Sequence, residues 1–164
     1  MKTNPFEALS GKTVIDWLGC ELALIPGEDG KASIWVSALT PYRQFFELEI
    51  ICTDGSKFNI ESRYDEDGYF ELALKANRKD IEHYVPTKDD FVRVLNLNTF
   101  PKGKVNFIDV VLDQRSNIVA LKLAIGNSTI TLESGFVAQK NDTFIVQRPE
   151  DFVIINTSQT VTER

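Results

Sequence analysis

Apolar and polar residues alternate along much of the chain, which is the period of a strand with one buried face. Residues 46–50 and 58–61 alternate in this way, and Thr53-Asp54-Gly55-Ser56 between them has the composition of a hairpin turn. The spacing predicts about a dozen short strands, as expected of a sandwich or barrel. The other predicted strands lie at 69–74, 119–123, 129–133, 144–146 and 152–155 and, less sharply, at 14–18, 34–37 and 105–112.

Helical signals are few. Residues 5–9 follow the capping residue Asn4 and precede Gly11, which predicts one or two helical turns. Residues 78–84, before Pro86, predict a second short helix. Residues 87–95 fit either a helix start or a strand. The repeat described next favours the strand.

Two hairpins share their order and composition. FELEIICTDGSKFNIES at 46–62 and VALKLAIGNSTITLES at 119–134 both run strand, glycine-containing turn, strand, Glu-Ser. Gly11-Lys12 and Ile15-Asp16 precede the first hairpin, and Gly103-Lys104 and Ile108-Asp109 precede the second. An acidic or amide turn with an aromatic strand follows each, at 67–70 and 142–145, and a closing run ends each unit, at 89–92 and 150–153. This order predicts a tandem duplication within a single domain, 1–164. Unit one spans about 11–96, with an insertion at about 19–44, and unit two spans about 103–156.

The predicted fold is therefore mainly β. Two tandem antiparallel units of about five strands are expected to pack as a β-sandwich or partly open barrel, with one or two short helices, because each apolar face needs a cover. The insertion at 19–44 contains Trp35 and follows Trp17. It is either an added functional segment or a strand that covers a sheet edge.

Composition and charge narrow the class of protein. The chain has 164 residues, of which 43% are hydrophobic and 26% charged, as in globular domains. The net charge is −6, and the whole acidic excess lies in residues 1–75. Such a surface favours basic partners and lacks the basic stripe that direct nucleic-acid binding requires. No apolar run reaches the roughly 18 residues of a membrane span.

Location and thiol state follow from the N-terminus and the cysteines. Residues 1–7 lack the apolar stretch of a secretory signal, so a cytoplasmic location is expected. Cys20 and Cys52 are isolated in apolar surroundings, which predicts buried thiols rather than a disulfide.

Signals for catalysis and metal binding are weak. His83 is the single histidine, and the chain has no nucleophile elbow, no paired zinc spacing and no glycine-rich phosphate loop. A calcium loop with Gly68 at its sixth position would begin at Arg63 and end at Leu74, which are not ligands. We therefore expect no catalytic residues, no metal and no cofactor. A pair of carboxylates for glycosidase chemistry stays open, because their separation is spatial.

Residues 61–71 combine five acids with aromatic residues. Tyrosine supplies rigid contact area, and carboxylates steer and pair with basic partners. The alternative is a solvated hairpin loop whose aromatic rings fold back onto the core. The predicted partner-binding residues are Glu61, Tyr64, Asp65, Glu66, Asp67, Tyr69 and Glu71.

The succession of a Gly-Lys start, an Ile-Asp strand, an alternating hairpin and an aromatic strand after an acidic turn resembles small bacterial immunity proteins of contact-dependent and other polymorphic toxin systems. The resemblance covers the general architecture over most of the chain and includes no diagnostic motif. It implies a cytoplasmic, non-catalytic protein that binds a cognate toxin domain, often a basic nuclease, and blocks its active site. Two other classes stay open: a small-molecule binder or enzyme built in a barrel mouth, and an assembly subunit that pairs through sheet edges.

Overall fold

A computed structural model describes residues 3–76, 87, 90–159 and 161–162. Within this range the protein is mainly β, and every pair of neighbouring strands is antiparallel. The strands are β1 (Thr13–Ile25), β2 (Ile34–Trp35), β3 (Tyr42–Cys52), β4 (Lys57–Tyr64), β5 (Phe70–Ala76), β6 (Val92–Asn96), β7 (Gly103–Leu112), β8 (Ile118–Ile125), β9 (Ser128–Lys140), β10 (Thr143–Asn156) and β11 (Val161–Thr162).

The sheet curls back on itself. Pairing runs from β1 through β7, β8, β9, β10 and β3, and β3 pairs with β1 again. The β1–β7 junction is short, since it joins only Thr13 and Val14 to Lys104 and Gly103. β4 and β5 extend the sheet beyond β3, while β2 and β6 pair with β1 and β11 pairs with β9. The fold is a partly closed barrel, which confirms the mainly β prediction in its barrel form.

Three aromatic rings pack together within the main core. The ring of Phe100 packs edge-on against Trp17 and Phe45, with centroids 5.4 and 6.1 Å apart. The Trp17 indole N–H donates to the Pro101 carbonyl at 2.8 Å, so its polar atom is satisfied although the ring is fully buried. A Cβ on Gly19 would lie 2.7 Å from the Phe45 ring, so glycine permits this close approach of β1.

The helical segments are short 3-10 turns. The predicted N-terminal helix is present as the 3-10 helix Pro5–Leu9, in which the Asn4 side chain accepts the Phe6 N–H at 3.0 Å. Phe6 and Leu9 are buried in the main core. Two further 3-10 turns span Val36–Ala38 and Thr157–Gln159. The second predicted helix, 78–84, lies outside the described residues. None of the described helices is long and apolar enough to cross a membrane.

Strand order is alike in the two proposed units. β1, β3, β4 and β5 pair in succession, and so do β7, β8, β9 and β10. Their Gly-Lys starts lie side by side, with Thr13 opposite Lys104. The closing runs differ, because β6 pairs with β1 whereas the end of β10 pairs with β9 and β3. The duplication stays a prediction, and the closing runs are not equivalent in position.

The insertion at 19–44 covers part of the barrel. It forms the end of β1, the start of β3, β2 and the 3-10 turn Val36–Ala38. Val36 is buried against Val137 and Ile154 in a small second core, apart from the main one. Because Val153 and Ile155 face the main core, Ile154 lies on the opposite face of the sheet. Val36 thus covers part of one face of the sheet rather than an edge, and both interpretations of the insertion stay open.

Candidate functional site

The acidic and aromatic residues of 61–71 form the end of the β4–β5 hairpin, named here the acidic hairpin. All of the predicted partner-binding residues belong to it. β4 ends at Tyr64, β5 begins at Phe70, and these two residues lie opposite each other. The turn between them, residues 65–69, is named the tip. Arg63 lies opposite Glu71, and Glu61 lies opposite Ala73.

Asp65 organises the tip. Its Oδ1 accepts the backbone N–H groups of Asp67 at 2.9 Å and Tyr69 at 2.8 Å. Its Oδ2 accepts the side-chain N–H of the buried Asn117 at 2.7 Å, which ties the tip to the β7–β8 turn. The Asp65 backbone N–H donates to the Tyr69 carbonyl at 2.7 Å. The Asp65 carboxylate therefore holds the turn, and its role as a partner contact stays a prediction.

Glu61 and Glu71 form ion pairs within the sheet. A carboxylate oxygen of Glu61 lies 2.5 Å from the Lys75 Nζ, and one of Glu71 lies 3.6 Å from an Arg63 Nη. Their role as partner contacts stays a prediction, and the neighbouring bases on β4 and β5 offset part of their charge. Glu66 and Asp67, in the turn, are the predicted acids that are exposed.

Two exposed tyrosines lie at this end of the hairpin, Tyr64 just before the tip and Tyr69 as its last residue. Tyr64 is 58% and Tyr69 42% exposed. The Tyr64 ring rests on Phe70, with centroids 4.5 Å apart, and the Arg115 guanidinium lies 3.5 Å from the centre of the Tyr69 ring. Both rings are thus supported from behind while part of each faces solvent. The alternative in which these rings fold back onto the core does not describe the two tyrosines.

An apolar cavity of about 550 Å³ adjoins the acidic hairpin. Arg63 and Glu71 line both this cavity and a groove along the tip, so the two spaces lie next to each other. The cavity brings together β5, β7, β8 and the N-terminal residues 3–5, which are distant in sequence, so alternation alone did not predict it. Its apolar wall consists of Leu72, Ala73, Leu74, Val110, Leu112 and Ile118.

A buried ion cluster lies elsewhere in the barrel, and the sequence pattern did not predict it either. Glu21 is fully buried. Its carboxylate accepts N–H bonds from Arg43 at 3.2 and 2.9 Å and from the Arg93 Nε at 3.0 Å. The Arg93 guanidinium also lies 3.9 Å from the centre of the Trp35 ring. The available signal was an acid inside an apolar run of β1, where burial requires a charged partner.

The histidine and the two cysteines are the other candidates for catalysis or metal binding. His83 lies outside the described residues. Within the described part of the chain, no three histidine, cysteine or acidic side chains are grouped as metal ligands. Cys20 and Cys52 are free thiols, as predicted, with Cys52 buried and Cys20 half-buried.

Comparison with protein-family models, curated proteins and solved structures found no match.

Proposed function

We propose that this protein binds a cationic protein partner through the tip of the acidic hairpin, and that it inhibits a basic toxin domain in the manner of the immunity proteins it resembles. The observation that carries the proposal is a tip that is fixed from within and exposed on its outer side. Asp65 holds the backbone through its hydrogen bonds, while Tyr64, Glu66, Asp67 and Tyr69 are exposed.

Pre-organisation favours binding because a partner does not have to order the contact residues. Immobilising a flexible side chain at an interface costs about 0.5–1.5 kcal/mol. The rings of Tyr64 and Tyr69 already rest on Phe70 and Arg115, so little of this cost remains for them. Tyrosine combines large contact area with few rotatable bonds, which accounts for its frequency at interaction hot spots.

The charge of the tip selects the partner. Glu66 and Asp67 are adjacent and exposed, so an arginine or lysine of the partner can form charge-assisted hydrogen bonds with them. Glu61 and Glu71 contribute less, since Lys75 and Arg63 lie beside them. Recognition of a cationic surface therefore depends mainly on two carboxylates, a narrower set than the sequence indicated.

Charge reversal at the tip tests the proposal. The tagged chain is co-purified with the product of the adjacent gene, and association is measured for the wild type and the double variant Glu66→Lys/Asp67→Lys. We expect the association rate of the variant to fall at least about tenfold at low salt, because steering by two carboxylates is replaced by repulsion.

A matched control changes the same net charge elsewhere. Glu28 and Asp142 are exposed and lie in other loops, so Glu28→Lys/Asp142→Lys should associate much faster than the tip variant. Failure of the wild type to bind this gene product, or equal binding by the wild type and the tip variant, contradicts the proposal.

A further inference from the structure

We propose that the partner contributes an extended segment that adds as a strand to the outer edge of β5 and places its apolar side chains in the apolar cavity. This inference rests on the proposed function and specifies the chemistry of the partner. The segment alternates apolar residues with others and carries lysine or arginine next to the tip.

The outer edge of β5 has the geometry to accept a strand. β5 pairs with β4 along one edge and is the last strand of the sheet, so no described strand pairs with its other edge. The Asp65 N–H donates to the Tyr69 carbonyl, which identifies these two residues as a hydrogen-bonded pair at the start of the β4–β5 ladder. The pairing continues without a register shift as far as Phe58 opposite Ala76, so hydrogen-bonded and non-hydrogen-bonded pairs alternate along it. The backbone groups of Glu71 and Ala73 then point to β4, and those of Leu72 and Leu74 point outward.

The same two residues connect that edge to the cavity. Leu72 and Leu74 line it, together with Val110 and Leu112 of β7 and Ile118 of β8. A strand paired with the edge presents every second side chain to one face. Strand addition of this kind takes its affinity from backbone hydrogen bonds and its specificity from pockets for alternate side chains. A volume of about 550 Å³ lies within the usual range of binding pockets, about 300–1,000 Å³.

The negative charge of the groove determines which residues of the partner segment are favoured next to the tip. Glu66 and Asp67 lie on the groove along the tip, which shares Arg63 and Glu71 with the wall of the cavity. Asp65 adds a further carboxylate to that groove, so its acids outnumber Arg63. A segment that leaves the cavity toward the tip therefore meets a net negative surface, which favours basic side chains at that end.

A synthetic heptapeptide tests the inference directly. The probe is an acetylated and amidated peptide of alternating lysine and leucine that begins and ends with lysine, titrated into the full-length protein while amide chemical shifts are followed by NMR. We expect saturable shifts in residues 70–74. A peptide with glutamate in place of lysine should bind at least about tenfold more weakly. A peptide with proline as its central residue should also bind more weakly, since proline cannot donate to a ladder.

A pair of protein variants locates the binding site. Leu112 lines the cavity and is 52% exposed, whereas Val111 on the same strand is 55% exposed and is not part of the cavity wall. We expect Leu112→Asp to weaken binding of the lysine-leucine peptide at least about tenfold and Val111→Asp to leave it within about twofold of wild type. Thermal unfolding of both variants confirms that they fold.

Three results overturn the inference: no saturable shift in residues 70–74, equal binding of the proline peptide, or equal binding by Leu112→Asp. The proposed function is judged separately by co-purification. If Glu66→Lys/Asp67→Lys loses the adjacent gene product while Leu112→Asp retains it, the tip is the interface and strand addition is wrong. If the wild type shows the peptide shifts but does not bind that gene product, the proposed function is wrong.

Discussion

At the residue scale, Asp65 shows how one side chain changes role between sequence and structure. In the sequence it is one of several acids in an acidic stretch, whereas in the structure its carboxylate accepts two backbone N–H groups and one side-chain N–H. Aspartate favours such turns because its short side chain reaches the backbone two residues ahead. Acid count alone therefore did not show that one of these carboxylates is engaged in holding the turn.

Removing this carboxylate should destabilise the hairpin. Asp65→Ala is expected to lower the free energy of unfolding by about 2–3 kcal/mol, because hydrogen bonds to charged groups contribute about 1.5–3 kcal/mol and several are lost together. Urea unfolding measures the change. Asp67→Ala, at an exposed neighbouring acid, should remain within about 0.5 kcal/mol of wild type. Equal stability of the two variants would show that the Asp65 carboxylate does not hold the turn.

Glu21 differs from Asp65 because it is fully buried and its charge is paired with two arginines inside the barrel. Glu21→Gln leaves Arg43 and Arg93 without their shared counter-ion in the barrel. We expect a loss of about 3–5 kcal/mol in the free energy of unfolding, the usual result of breaking a buried ion pair. Chemical denaturation measures it, with Glu28→Gln on the surface as the control. A loss no greater than that of the control contradicts the role assigned to Glu21.

Cys20 should be slow to react at neutral pH. Burial, assisted by the negative charge of Glu47, raises the pKa of the Cys20 thiol to about 11, against about 8.5 for an unperturbed thiol. The folded protein therefore holds this proton more tightly, so the thiol's contribution to stability is complete below about pH 8.5 and is lost as pH rises toward 11. Alkylation by iodoacetamide, followed by peptide mass spectrometry, should be much slower at pH 8 in folded than in denatured protein. Equal rates in the two states would refute this shift.

At the scale of elements, β1 pairs with several other strands along its length. One edge pairs with β3, while the other pairs in turn with β7 and β6, and β2 pairs with the end of the strand. Register shifts interrupt the pairing with β3 near Asp16 and Glu21, and bulges of this kind increase the local twist of a strand. Gly19 lies between them, where the ring of Phe45 crosses the strand.

Gly19→Ala tests this close packing. The added methyl group would lie 2.7 Å from Phe45 and 2.9 Å from Leu97, and overpacking of this kind costs about 1–3 kcal/mol. Thermal or urea unfolding measures the loss. Phe45→Leu alone should also destabilise, but in the Gly19→Ala background it should cost less, because the smaller side chain relieves the contact. Additive effects of the two substitutions would show that they do not share the space.

For the whole molecule, closure of the barrel brings together the parts of the candidate site. β5 belongs to the first proposed unit, and β7 and β8 belong to the second, yet all three line the apolar cavity. Asn117, in the turn between β7 and β8, supports the tip of the acidic hairpin. The net charge of −6 adds a long-range attraction for cations. Association with a basic partner should therefore slow as ionic strength rises, and this dependence should weaken in the tip variant.

The sequence by itself determined the mainly β class, the principal hairpins, the capped turn at Pro5–Leu9 and the location of the acidic hairpin. These features depend on neighbouring residues, whose alternation and turn composition show which side chains can be buried together. Local signals were less reliable where elements were irregular: predicted strand 34–37 is the short β2 followed by a 3-10 turn.

Only the tertiary structure decided that the sheet closes into a ring, that Arg43 and Arg93 share Glu21, and that an apolar cavity lies beside the acidic hairpin. It also decided that Asp65 is used within the turn while Glu66 and Asp67 face solvent. The physical reason is that alternation records whether a side chain is buried but not which distant side chain covers it. That choice depends on how strands far apart in the chain are brought together.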